Sequence, residues 1–245
     1  MYDIIITIAR KDFNKLQFVV SSIIKNVPGF HNIYCISNIS IPDRYRIDGI
    51  QCFIDDEVID FDFFNIRMVN RRGWYRQQFI KLFQGITADN YLVIDGDVYI
   101  NKPMEINTAH PYFLLGRDQH HLPYFQFMKD VFNLDQMYPH SFISEMMFFK
   151  RGMIGFMLDE LKVDKYQFFN ICAKEINKLN DPSGFSEYEL YGNYVTKNWP
   201  DLYQYKQLKT IPTAKKREWT DDEIREHIRF YSRGNYDLLT MHSWI

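Results

Sequence analysis

The chain has 245 residues, 46% of them hydrophobic, a net charge of −2 and a pI near 6.4. That length suits one sizeable α/β domain, and a balanced charge excludes a general nucleic-acid binder, which needs a basic excess or stripe. No apolar run reaches the ~18 to 20 residues that span a bilayer. The opening Met1-Tyr2-Asp3 lacks signal-peptide features and the three scattered cysteines fit a reducing compartment, so a cytoplasmic protein without a transmembrane segment is expected.

The chain then reads as alternating strands and helices. Asp3 to Ala9 is a β-branched strand of the kind buried on both faces, ending in the loop Arg10-Lys11-Asp12. Leu16, Val19, Val20, Ile23 and Ile24 follow at helical spacing within Phe13 to Lys25, and Pro28-Gly29 stops that helix. Ile33 to Ile36 is a second strand. Gln51 to Ile54 is a third, ending in the acidic turn Asp55-Asp56-Glu57. A helix is predicted over Trp74 to Phe83, with Phe79, Leu82 and Phe83 on its apolar side. Tyr91 to Ile94 is a buried strand, and Tyr112 to Leu115 another, ending in Gly116-Arg117-Asp118. Residues 119 to 139 are polar and aromatic and read as an insertion or helix covering the site, with a lid that orders on donor binding as a further expectation. Phe142 to Phe149 is partly strand, and Asp164 to Leu179 is helical. Ser186 caps a helix with Glu189 in capping-box position, as Thr220 does with Glu223 in a solvated helix over 214 to 230. These elements predict an α/β protein of one domain, residues 1–245. Its open, mostly parallel central sheet carries helices on both faces.

The chemistry concentrates where Asn90-Tyr91-Leu92-Val93-Ile94 runs into Asp95-Gly96-Asp97. Open α/β sheets bind ligands at the carboxyl ends of their strands. Two carboxylates this close repel unless a cation or proton lies between them, and Mn²⁺ or Mg²⁺ bridging to a diphosphate is the economical partner. Gly96 is expected to clear side-chain bulk for a ligand. On the preceding helix Tyr75, Gln78 and Lys81 recur at steps of three, with Trp74 and Gln77 near that face. They offer rings to stack, amides for hydroxyls and an ammonium for phosphate.

Four segments together resemble nucleotide-sugar-dependent glycosyltransferases of the GT-A fold, and in particular a little-characterised GT-A-like family long carried as a domain of unknown function. They are Ile5 to Asp12, Gly73 to Leu82, Asp95-Gly96-Asp97 and Phe185 to Gly192. The resemblance implies transfer of a hexosyl or deoxyhexosyl group from a nucleotide diphosphate-sugar, by default a UDP-sugar, to a glycan or lipid-linked acceptor. It implies a nucleotide-binding half over 1–100 and an acceptor-binding half over 101–245. It further implies that Asp97, Asp95 and His242, the last in the ending Met241-His242-Ser243-Trp244, hold Mn²⁺ or Mg²⁺. Ala9, Arg10 and Asp12 then meet the nucleotide, Asp95 faces the ribose or sugar, and Asp55 and Asp56 are further candidates to reach the base, with an acidic turn the stronger reading for them. Glu187 is the acceptor-side base of an inverting reaction, freed for that role if Glu189 is occupied in the capping box. His140, Ser141, Ser144, Glu145, Arg117 and Asp118 are further candidates around the acceptor or sugar.

Three other readings stay open. A haloacid-dehalogenase-like phosphatase also ends a strand in Asp-x-Asp and would use Asp95 as nucleophile, although that motif normally lies on the first strand. A non-catalytic nucleotide- or carbohydrate-binding module needs no base. Nucleotidyl transfer would bring a Gly-rich basic signature near the first strand, which Ile8-Ala9-Arg10-Lys11 is not.

Overall fold

A computed structural model describes residues 1–60, 71–115, 120–179, 181, 183–211, 216 and 218–243. Its elements run β1 (Tyr2–Ile8), α1 (Leu16–Asn26), β2 (Phe30–Ser37), β3 (Gln51–Ile54), α2 (Asp55–Val58), α3 (Arg72–Phe83), β4 (Asn90–Asp95), β5 (Val98–Ile100) and β6 (Tyr112–Leu115). They continue with α4 (Leu122–Phe132), β7 (Met146–Lys150), α5 (Arg151–Leu161), α6 (Lys165–Leu179), α7 (Glu187–Asn198), β8 (Gln204–Gln207), α8 (Asp221–Tyr231) and β9 (Leu238–Thr240). A 3-10 turn over Arg10–Lys15 joins β1 to α1.

The central sheet has the order β3-β2-β1-β4-β7. Its first four strands are parallel and β7 closes the edge antiparallel to β4. All seven residues of β1 and the centre of β4 are buried, as their unbroken apolar runs require. Two short pairs complete the structure, β5 with β9 antiparallel and β6 with β8 parallel. Among the described residues no helix is long and apolar enough to cross a membrane.

The part-strand expected within Phe142 to Phe149 is β7, which begins at Met146, while Phe142 packs in an aromatic cluster with Phe113. The expected lid over 119 to 139 contains α4. That helix buries Phe127, Met128 and Phe132 in the core, with Phe127 against Phe185 and Phe132 against Phe168 and Tyr194. The helix alternative for this passage is thus the one observed over Leu122–Phe132. The final helix starts at Asp221 rather than 214, where Thr220 and Glu223 form the expected capping box. Helix α5 and strands β8 and β9 carry too little periodicity to be read from sequence.

Helix α7 reaches the core at a glycine. A Cβ on Gly192 would lie 2.3 Å from the Phe142 ring, and that ring is held by Phe113 and Tyr138. Alanine in a helix normally gains about 1 kcal/mol over glycine, but overpacking a fixed core costs about 1–3 kcal/mol. Gly192→Ala is therefore expected to destabilise the protein by up to about 2 kcal/mol net in urea unfolding. Unchanged or increased stability would show that Phe142 can move aside.

Candidate active site

The reversal of strand order falls at β1, with β2 on one side and β4 on the other. Crevices of open α/β sheets form at the carboxyl edge of such a point. Thr7 and Asp95 are register partners there. The chain then turns tightly, with the Gly96 N–H donating to Thr7 O at 2.9 Å and the Asp95 N–H to Glu145 O at 3.0 Å. A Cβ on Gly96 would lie 2.6 Å from Ile8 Cγ1 and 2.9 Å from Thr7 O. The close neighbour that demands glycine is thus β1, where a ligand had been expected.

Asp97 and His242 meet through the β5–β9 pairing. Val98 pairs with Thr240, and the Met241 N–H donates to Asp97 O at 2.9 Å. That register brings His242 Nδ1 to 2.8 Å from Asp97 Oδ2. The tail is pinned by Lys15, whose fully buried ammonium contacts Asp12 Oδ1 at 2.5 Å, Ser243 Oγ at 2.8 Å and Met241 O. Trp219 Nε1 donates to His242 O at 3.1 Å. Trp244 lies outside the described residues. Burial alone would lower the His242 pKa, but the hydrogen bond and charge of Asp97 outweigh it and raise it. For Asp97, burial pushes upward and the His242 contact brings the carboxyl below its ordinary range.

A second charged group lies beside the first. Lys81 Nζ is 2.9 Å from Asp95 Oδ1 and 3.0 Å from Glu187 Oε1, and it packs 4.4 Å from the Tyr188 ring centre. Burial raises the pKa of both carboxyls, against the pull of Lys81. Glu187 is therefore tied rather than free. Its position is set by Ser186, which caps α7 by accepting the Glu189 N–H at 3.3 Å, and by the Glu187 N–H donating to Gln78 Oε1 at 3.0 Å. Glu189 does not complete a capping box. Its carboxylate accepts from Ser141 Oγ at 2.5 Å and Asn193 Nδ2 at 3.2 Å.

The cavity at this edge has a volume of about 780 Å³. Of the residues expected at the site, Ala9, Asp12, Trp74, Gln77, Asp95, Gly96, Asp97 and His242 line it. Arg10, Tyr75, Gln78, Lys81 and Glu187 are not among its lining residues. Arg10 is exposed, and Tyr75 is buried with its hydroxyl accepting the Gly184 N–H at 2.9 Å. The face shared by Tyr75, Gln78 and Lys81 meets the segment 184–188, so the step of three marked a packed face and the cavity takes Trp74 and Gln77 instead. Gln77 is fixed by donating to Thr7 Oγ1 at 2.8 Å. Lining residues that the sequence reading missed are Thr7, Ser37, Asn38 and Arg71. Ser37 ends β2, so the strand-end rule itself was the signal. Arg117 and Asp118 lie outside the described residues.

Two carboxylates and an imidazole are donors suited to Mn²⁺. Asp95 Oδ1 is buried and, though ion-paired with Lys81, has no aligned hydrogen bond. The donor set therefore fits a divalent ion in chemistry. Among the described residues, however, no three such side chains already stand in ligating geometry.

The fold is the GT-A fold of glycosyltransferases. Galactosyltransferase LgtC, in an active-site mutant, superposes with a TM-score of 0.52 at 11% identity, over 99% of this chain and 88% of that one. LgtC in complex with donor and acceptor sugar analogues gives 0.49 at 10% identity, over 97% and 86%. Mouse xyloside xylosyltransferase 1 in its apo form gives 0.46 at 11% identity, over 98% and 97%. No protein-family model and no curated protein matches the sequence. At this identity the likeness shows the fold alone.

Two tests follow from the buried charges. Burial pushes the Glu189 carboxyl up to about 7. The folded protein then holds a proton that the unfolded chain releases near pH 4.5, so this contribution to stability is full below that pH and is lost as pH rises through about 7. Glu189→Gln should remove that loss, worth up to about 3 kcal/mol between pH 5 and 8, in urea unfolding. An identical slope in the variant would contradict it. Lys81→Met strands two buried carboxylates and should destabilise the protein by about 3–5 kcal/mol at pH 8, and by less as the pH is lowered, because burial raises the pKa of both. A loss independent of pH would point to packing alone.

Proposed function

We propose that this chain is a metal-dependent glycosyltransferase that moves a sugar from a nucleotide diphosphate-sugar, a UDP-sugar by default, to a glycan or lipid-linked acceptor. The observation that carries the reading is the meeting of Asp95, Asp97 and His242 on one cavity at the carboxyl edge of a GT-A sheet. The GT-A fold makes glycosyl transfer the leading chemistry for that edge, although fold alone never fixes function.

Asp97 and His242 would hold Mn²⁺ or Mg²⁺, with Asp95 beside them. When bound, the ion neutralises charge gathering on the departing diphosphate. The remaining work falls to the chain. The half-buried Trp74 ring, with the Arg71 guanidinium 4.2 Å from its centre, gives the cavity wall an aromatic surface. Gln77, locked by Thr7, presents an amide to sugar or ribose hydroxyls, and Lys11 and Arg71 bring positive charge to the rim. Lys81 keeps Asp95 and Glu187 from repelling each other and works against the burial that favours a protonated Glu187. Glu187 then accepts the proton of an acceptor hydroxyl in an inverting reaction. In this reading residues 1–100 bind the nucleotide and 101–245 the acceptor.

Calorimetry with nucleoside diphosphates, with and without Mn²⁺, tests the proposal. Wild type should bind in the presence of Mn²⁺, and Asp97→Ala should weaken that binding at least about tenfold, the scale of one charge-assisted contact. Nucleotide binding indifferent to both metal and Asp97 would refute the metal-dependent site.

A further inference from the structure

Two of the three cysteines are neighbours in the sheet, and the proposed transfer reaction uses neither. Cys35 on β2 and Cys52 on β3 are register partners in a parallel pair. Such partners direct their side chains to the same face, and adjacent strands lie about 4.8 Å apart. A disulfide needs Cα atoms roughly 4.4–6.8 Å apart, so this pair starts within reach of one. The two thiols are free and already touch, sharing a hydrogen bond.

The two sulfurs differ in what they can do. Cys35 is fully buried, while Cys52 is half-buried on a four-residue strand at the edge of the sheet, where a reagent can reach it and the backbone can give. The hydrogen bond from Cys35 brings the Cys52 thiol below its ordinary range; burial opposes that shift and the charge of Arg46 supports it. The same contact, together with burial, pushes the Cys35 thiol up. Thiolate is the reactive form of cysteine, and a second thiol beside it can close a disulfide on the oxidised sulfur. We propose that Cys35 and Cys52 form an oxidation site for hydrogen peroxide, with Cys52 as the attacking sulfur and Cys35 as the resolving one. The Cys52 thiolate attacks one peroxide oxygen, the O–O bond breaks, and the sulfur becomes a sulfenic acid while the other oxygen takes up a proton and leaves as water. The Cys35 sulfur then attacks the sulfenic sulfur. The S–O bond breaks, the departing hydroxyl leaves as water with the Cys35 proton, and the S–S bond forms. Two thiols are oxidised to one disulfide and one peroxide is reduced to two waters. Cys172 on α6 is fully buried, and burial pushes its thiol well up, so it serves as an internal control. The site uses only the β2–β3 register and stands apart from the nucleotide reading. Its bond would form directly before Ile36 and Ser37, which line the cavity.

The test is a thiol count on the full chain. Reduced protein is treated with a small excess of hydrogen peroxide at about pH 7, then denatured and titrated for free thiols, and its unreduced peptides are weighed by mass spectrometry. Of the three thiols, Cys35 and Cys52 should be lost together and Cys172 kept. The two peptides should appear joined and lighter by two hydrogens, and a reductant should restore all three thiols. Cys52 should react at least about tenfold faster than Cys172, following its thiolate character and exposure. In Cys52→Ser both remaining thiols should survive the same treatment. In Cys35→Ser the reaction should stop at a sulfenic acid on Cys52, trapped by dimedone. Wild type and Cys52→Ser decide the matter even where a buried hydroxyl at position 35 prevents folding. Three free thiols after treatment, Cys172 oxidised as fast as Cys52, or a disulfide joining two chains in place of the Cys35–Cys52 bond would overturn the inference.

Discussion

One buried ammonium organises the centre of this protein. Lys81 lies between Asp95 at the end of β4 and Glu187 at the start of α7. Each carboxylate alone would carry a penalty of several kcal/mol for leaving water. With Lys81 between them the strand end and the helix start are tied to α3, which carries both the lysine and the cavity-lining Trp74 and Gln77. The same helix also gives Gln78 to the Glu187 N–H and Tyr75 to the Gly184 N–H. One face of α3 therefore fixes α7, and a neighbouring strip faces the cavity.

The second constraint is the return of the C-terminal segment. Strand β9 pairs with β5 only over Val98–Ile100 and Leu238–Thr240, yet that short register sets His242 against Asp97. Lys15 secures it by joining Asp12, Met241 and Ser243 in one buried cluster. The loop after β1 and the end of the chain are in this way one structural unit. The ends of strands β2 and β3 also line the cavity, with Arg76 holding Asp55. A ligand with a charged end and a hydrogen-bonding end has a place for each.

The sheet was legible because its strands are long apolar runs. Tyr2–Ile8 and Asn90–Asp95 carry enough β-branched and aromatic residues that only burial between layers accounts for them. The Asp95–Asp97 turn was legible for the same reason, as a polar interruption of such a run. Strands β8 and β9 were not, since their residues show no alternation and owe their form to partners far along the chain. On α3 the period of three was real, but periodicity does not say which face is buried. Tyr75 and Gln78 went to the core and Trp74 to the cavity. Asp55 read as an acidic turn because neither its Arg76 partner nor its buried free oxygen is visible without the β2–β3 register. Glu187 read as free because Lys81 lies about a hundred residues earlier in the chain.

The most direct test of the central claim is chemical turnover. The protein would be incubated with a panel of nucleotide diphosphate-sugars and Mn²⁺, and released nucleoside diphosphate would be measured for wild type and Asp97→Ala, with a phosphomonoester as control substrate. The account predicts slow metal-dependent release from at least one donor by wild type, its loss in Asp97→Ala, and no release of phosphate from the control. Release of phosphate from the monoester, with every nucleotide-sugar left intact, would contradict it.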